Sequence, residues 1–167
     1  MSIQVAVCGP RHCTDQERAD AHEIGRLLAE AGAIVLNGGG TGVMEAASAG
    51  AASAGGLAIG VRPGASRRDA NPHLTATLAT NMGEARNAVL VWSADAVVVV
   101  GGSWGTLSEY ALAARRGVPV ISIGGWQVLD AHGNPVPDAP PTASSPAEAV
   151  RFAIDAASAA ARRTPDP

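Results

Sequence analysis

The chain has 167 residues, 47% hydrophobic and 3% aromatic, with a formal net charge of -3; that suits one core-bearing domain and excludes an electrostatic nucleic-acid surface or a stacking platform for single strands. Cys8 and Cys13 are too few for a disulfide framework, and His12, His22, His73 and His132 offer no zinc spacing, so reduced thiols and no metal are expected. With no apolar stretch of membrane-spanning length and no basic-then-apolar leader, a cytoplasmic chain without a membrane partner is expected.

Ile3 to Cys8 is an apolar run ending at Gly9-Pro10 and reads as a first strand. Thr14 and Glu17 have capping-box spacing before Ile24, Leu27, Leu28 and Ala31, which recur at helical intervals until Gly32 stops them. Ala33 to Leu36 reads as a second strand, running into Asn37-Gly38-Gly39-Gly40-Thr41-Gly42. An Ala-rich helix from about Val43 to Ala54 and a third strand from Leu57 to Val61 follow. Arg62 to Pro72 reads as a polar loop, Leu74 to Leu78 as a short strand, and Gly83 to Ser93 as helix. Ala96 to Val100 is almost purely β-branched, as a strand covered on both faces should be. It runs into Gly101-Gly102-Ser103-Trp104-Gly105, with a helix from Thr106 to Arg116 that Gly117 ends. Pro119 to Ile123 is the next strand, and 124–144 a loop or small hairpin. Ser145-Pro146-Ala147-Glu148 has the form of a second capping box, opening a last helix that buries Val150, Ile154 and Ala157. The alternation predicts an α/β fold of Rossmann type: a doubly wound, mostly parallel sheet with helices on both faces. One domain over 1–163 is expected, with 164–167 as a frayed tail.

Two glycine loops, each following a strand and opening a helix, carry the chemistry. Glycine lets backbone approach a ligand closely, and a helix N-terminus attracts phosphate. In open α/β sheets such loops gather at the carboxyl edge, so a phosphate site is expected there. Three familiar versions fail. All twelve basic residues are Arg, so there is neither a Walker lysine nor a Schiff-base lysine for pyridoxal phosphate. The first strand leads into Gly9-Pro10-Arg11-His12 rather than a dinucleotide fingerprint, and the second ends in Asn37 rather than an acidic ribose ligand. Glu109, three residues after Thr106, fits either a capping box or a carboxylate at the mouth of the phosphate loop. Arg86 precedes the strand that leads to Gly101 and is either solvated or aimed at that loop. Arg62, Arg67 and Arg68 are a phosphate gate or ordinary loop charges.

Gly101-Gly102-Ser103-Trp104-Gly105-Thr106-Leu107-Ser108-Glu109 resembles the P-G-G-x-G-T-x-x-E motif of the LONELY GUY (LOG) proteins, often mislabelled lysine decarboxylases. Arg86, nine residues before Asp95, sits where that family has the Arg of an R-K pair, and the likeness runs from the first strand to about Ile123. The resemblance implies a phosphoribohydrolase that cleaves the N-glycosidic bond of a nucleoside 5'-monophosphate. Arg86 and Glu109 would then be catalytic, with no cofactor required. The phosphate or nucleotide would lie among Gly9, Gly39, Gly40, Thr41, Gly42, Gly101, Gly102, Ser103, Trp104, Gly105 and Thr106. The resemblance also implies a homodimer or a larger even oligomer. There are departures: Gly101 replaces Pro, Ser103 a Gly, Trp104 the usual Tyr, Ser108 a frequent Glu, and Asn87 the Lys. With Asn37 to Glu45, they resemble a sister branch that includes the molybdenum cofactor carrier proteins. Retention of Arg86 and Glu109 favours the hydrolase, which is the first expectation; Asn87 favours the alternative, a carrier or sensor of a phosphate-bearing ligand such as molybdenum cofactor.

Overall fold

The computed structural model describes residues 2–137 and 139–161, for Ala161 the backbone only. Six strands form one sheet: β1 (Gln4–Cys8), β2 (Ile34–Asn37), β3 (Ala58–Arg62), β4 (Ala76–Ala79), β5 (Ala96–Val100) and β6 (Val120–Ile123). Their order is β4-β3-β2-β1-β5-β6, and every pair is parallel. The expected edge strand exists but sits two residues late, because Thr75 is spent before it: its amide bonds the Ala58 carbonyl and its hydroxyl accepts from the Ala58 N–H.

Among the described residues, four helices connect strands, α1 (Asp15–Glu30), α2 (Val43–Ser53), α3 (Arg86–Trp92) and α4 (Trp104–Arg116), and α5 (Pro146–Ala161) follows the last strand. Strand side chains alternate between the faces. Val5, Val7, Val35, Val98 and Val100 pack under α1, α2 and α5. Ala6, Cys8, Leu36, Val97 and Val99 pack under α3 and α4. The architecture is therefore the Rossmann-type α/β sheet with helices on both faces.

The local signals explain most helix ends. Thr14 and Glu17 form the full reciprocal capping box of α1, and Gly32 follows its end at φ +75°. At α5 the box is displaced: Ser145 caps the Glu148 amide, but Glu148 accepts from Ser144, one residue earlier than expected. The stretch read as helix from Gly83 begins instead with a 3-10 turn, Gly83–Ala85, and α3 proper starts at Arg86. The 124–144 segment carries a small antiparallel bridge, Leu129 with Pro135. The tail at 164–167 lies outside the described residues.

Among the described residues, no helix is long and apolar enough to cross a membrane, and no group of three or more His, Cys, Asp or Glu stands close enough to hold a metal ion.

Candidate functional site

β1 and β5 are hydrogen-bonded neighbours, yet the chain leaves β1 toward β2 and reaches β5 from β4. Connections therefore diverge at this pair. Such a switch point opens a crevice at the carboxyl ends of the strands, where open α/β sheets bind ligands. Here the loop after β1, Gly9 to His12, faces the loop after β5. Between them lies a cleft of about 380 Å³ that also touches Met44, Arg86 and Glu109. A second lobe of about 510 Å³ shares Arg11, Arg86, Asn87 and Gly105 with the first and extends past Trp104 to Pro63, Gly83 and Glu84.

The floor of the cleft is the N-terminus of α4. This helix begins two residues earlier than the sequence suggested, because Ser103 is its cap: its hydroxyl accepts from the Thr106 amide at 3.2 Å and lies 2.9 Å from the Thr106 hydroxyl. Thr106 is thus inside the first turn, and the proposed Thr106–Glu109 capping box does not form. The Thr106 and Leu107 amides are bound by Ser103. First-turn amides have no intrahelical acceptor, so those of Trp104 and Gly105 remain for a ligand. A Cβ on Gly105 would meet nothing closer than the Ser103 hydroxyl at 3.9 Å, so the backbone there is open to solvent.

Glu109 instead points into the cleft wall. It is only 7% exposed, and its carboxylate lies 3.5 Å from an Arg86 guanidinium nitrogen. Burial raises the Glu109 pKa, and Arg86 opposes that shift. Burial lowers the Arg86 pKa in turn, opposed by Glu109, while Arg11 and Arg62 add like-charge repulsion. Arg86 Nε is buried without a hydrogen-bond partner, as is Arg62 Nε. Arg11 and Arg62 thus stand near Arg86, which alone pairs with Glu109, an excess of positive charge suited to an anionic ligand. Beneath Glu109 lies Cys8, whose thiol is pushed up chiefly by burial and further by the carboxylate.

Asn87 and Ser108, two departures from the resembling motif, touch each other: Asn87 Nδ2 donates to Ser108 Oγ at 2.8 Å. A neutral hydrogen bond thus joins the positions where the motif has Lys and, frequently, Glu.

The remaining expected residues divide. Gly9, Gly102, Ser103, Gly105 and Thr106 line the cleft with Arg86 and Glu109, and Trp104 lines the second lobe. Gly101 turns at φ +66° with Glu17 packed where a side chain would stand. The loop after β2 does not supply the facing wall. Gly39 (φ +70°) takes an Asn37 side-chain oxygen on its amide, while its carbonyl accepts from Arg62 and the Asn71 amide. Gly42 (φ +68°) packs on the Pro10 and Arg11 backbone, Gly40 packs against Met44, and Thr41 is exposed. Met44 reaches the cleft in their stead. Arg62 is no free gate, since it ties Gly39 to the Asp69 carbonyl; Arg67 and Arg68 are exposed loop residues. The sequence reading missed Arg11, which lines both lobes, and Gly38, where a Cβ would fall 2.6 Å from the Arg86 guanidinium. The triple glycine was the signal for Gly38; its partner lies 48 residues away, outside any local pattern.

The chain is 41% identical over 122 residues to an uncharacterized protein of Archaeoglobus fulgidus, covering 72% of this chain and 80% of that one. Its fold is similar to the molybdenum cofactor binding protein of Rippkaea orientalis, at TM-score 0.85 and 32% identity over 93% of this chain and 97% of that one. It is also similar to the molybdenum cofactor carrier protein of Chlamydomonas reinhardtii, at TM-score 0.82 and 30% identity over 95% and 99%. The sequence profile of the SLOG cluster4 family matches residues 2–150, and the chain belongs to that family.

Proposed function

We propose that this protein binds and carries a phosphate-bearing small molecule, molybdenum cofactor, in the switch-point cleft, rather than hydrolysing a nucleotide there. The likeness to cofactor-binding proteins over nearly the whole chain supports this reading above the hydrolase expected first from the motif. The residues fit such a ligand. Trp104 and Gly105 supply N–H groups for the phosphate, and Arg11 and Arg86 supply positive charge, Arg86 with a buried donor still unpartnered. The cofactor is cargo, so the chain's task is to bind it, shield it and release it.

The observation that carries the choice of carriage over turnover is the Asn87–Ser108 hydrogen bond. It leaves Glu109 as the one carboxylate lining the inner cleft among the described residues. Hydrolysis of an N-glycosidic bond needs charge for the oxocarbenium-like transition state, an activated water and help for the leaving base. One buried Glu already facing Arg86 must serve all of these. The hydrolase remains the second reading because the raised pKa of Glu109 suits an acid–base group.

A panel of nucleoside 5'-monophosphates separates the two. The carrier reading predicts saturable binding of these phosphate ligands with no free base released above the uncatalysed rate. Multiple turnovers on any of them, abolished in Glu109→Gln, would establish the hydrolase.

A further inference from the structure

The inner and outer lobes differ in charge. The inner lobe has the α4 N-terminus, Arg11 and Arg86. The outer lobe ends at Glu84, its one carboxylate among the described residues, and Glu84 has no hydrogen-bond or ion-pair partner there. Trp104, 79% exposed, lines the same lobe. Trp104 therefore offers an uncovered aromatic surface to a ligand in the lobe. Its orientation is held: Trp126 meets it edge-to-face at 5.0 Å between centroids and 79° between planes, and Trp126 itself rests on Gly102. The Glu84 end is also fixed. Asn81 and Gly83, at φ +53° and +56°, turn the chain so that their amides donate to the Gly64 and Pro63 carbonyls at 3.1 and 3.0 Å. The 3-10 turn that follows presents Glu84.

We propose that the outer lobe is a subsite for a planar 2-amino-4-oxo heterocycle, the ring edge shared by guanine and pterins. Trp104 stacks on its face, and the Glu84 carboxylate accepts from its ring N–H and exocyclic amino groups. The chemistry follows from the walls. An aromatic side chain attracts any flat heterocycle, while a carboxylate takes two adjacent N–H donors but only one from a ring edge where a bare nitrogen, whose lone pair repels it, replaces the other. Adenine presents such a bare nitrogen next to its amino group; guanine and pterins present two donors. The lobe shares Arg86 and Gly105 with the inner cleft, so phosphate and ring belong to one ligand. This inference rests on the carrier reading for its phosphate end.

Calorimetric titration of the whole chain with GMP, AMP and ribose 5-phosphate tests it. GMP is expected to bind about tenfold tighter than AMP, a difference of one good charged hydrogen bond. Glu84→Gln should abolish that preference and leave ribose 5-phosphate affinity unchanged. Trp104→Ala should weaken both nucleotides about tenfold or more, and Trp104→Phe should restore most of the loss. Both residues are exposed, so each variant should fold. Equal GMP and AMP affinities in the parent, or a preference that survives Glu84→Gln, overturns the proposal. If ribose 5-phosphate binds and nucleotides bind no tighter, the outer subsite fails and the phosphate site stands. If ribose 5-phosphate does not bind at all, the carrier reading fails with it.

Discussion

Glu109 shows how one residue's surroundings decide its chemistry. Its folded-state pKa is raised, so the folded chain keeps the proton above the pH at which the unfolded chain has lost it. Stability therefore falls as pH rises through that window, which begins at the ordinary carboxylate value of 4.5. Protonation removes a negative charge beside Arg86, so anion affinity should rise as pH falls through the same window. Sulfate is the right probe, because it does not itself titrate there. In a His12→Asn background, which removes the imidazole on the cleft wall, sulfate should bind more tightly at pH 5 than at pH 8. Adding Glu109→Gln should flatten that dependence; an unchanged slope would remove Glu109 from the anion's field.

Gly105 gives the companion test. Nothing crowds its Cβ position and its φ is not in the left-handed region. Gly105→Ala should therefore stabilise the fold by up to about 0.5–1 kcal/mol, from helix propensity alone. If the backbone there meets a phosphate, the same change weakens ligand binding. Higher melting temperature with undiminished affinity would show that the glycine serves only the turn. The glycine motif, Arg86 and Glu109 were legible in the sequence because they form local patterns. The Arg86–Glu109 pairing, the Asn87–Ser108 bond and the cleft position of Arg11 were not, because the first two join α3 to α4 and the last brings the loop after β1 beside both.

Among the elements, the strands and the helix stops were legible because each had a local cause: β-branched runs, Thr14 with Glu17, and Gly32 and Gly117 at φ +75° and +71°. The start of α4 was misjudged because Gly105 looks like loop; one Ser hydroxyl holding the Thr106 amide overrides that propensity. The α1–α2 contact was invisible. A Cβ on Gly25 would strike the Ala47 carbonyl, and one on Gly50 the His22 carbonyl. These two glycines let the helices approach to backbone contact, although nothing in either helix alone demands glycine. Gly50→Leu should therefore cost about 2 kcal/mol or more, because backbone cannot swing aside as a side chain can. A fall in melting temperature of about 5 °C or more is expected. Gly55→Ala, at a position with no neighbour within 4 Å but φ +70°, should cost about 1 kcal/mol from backbone strain alone. No loss at Gly50, whose φ carries no such strain, would mean that crowding contributes nothing there.

At the scale of the molecule, the two faces of the sheet are unequally covered. One carries three helices of 11 to 16 residues; the other carries α3, of seven, and α4, of 13. Leu78 is in register with Val61 and so shares the thinner face, where it is exposed. Trp92 on α3 is exposed too, with the Arg116 guanidinium 3.3 Å from its ring centroid. We propose that the expected homodimer or larger even oligomer pairs its chains on this face. Light scattering at micromolar concentration should give an even multiple of the chain mass, and Leu78→Ser with Trp92→Ser should lower it. A parent protein of single mass would contradict the pairing.

The central claim is that the cleft carries a pterin cofactor through its phosphate, and the ligand content of the purified protein tests it most directly. The chain should be isolated from a host that makes molybdenum cofactor, and its bound pterin measured by fluorescence after oxidation. The parent should hold up to one pterin per chain. Gly105→Val, which fills the open backbone at the α4 N-terminus, should hold little or none while staying folded. Parent protein without pterin that releases base from a nucleoside monophosphate would contradict the carrier reading.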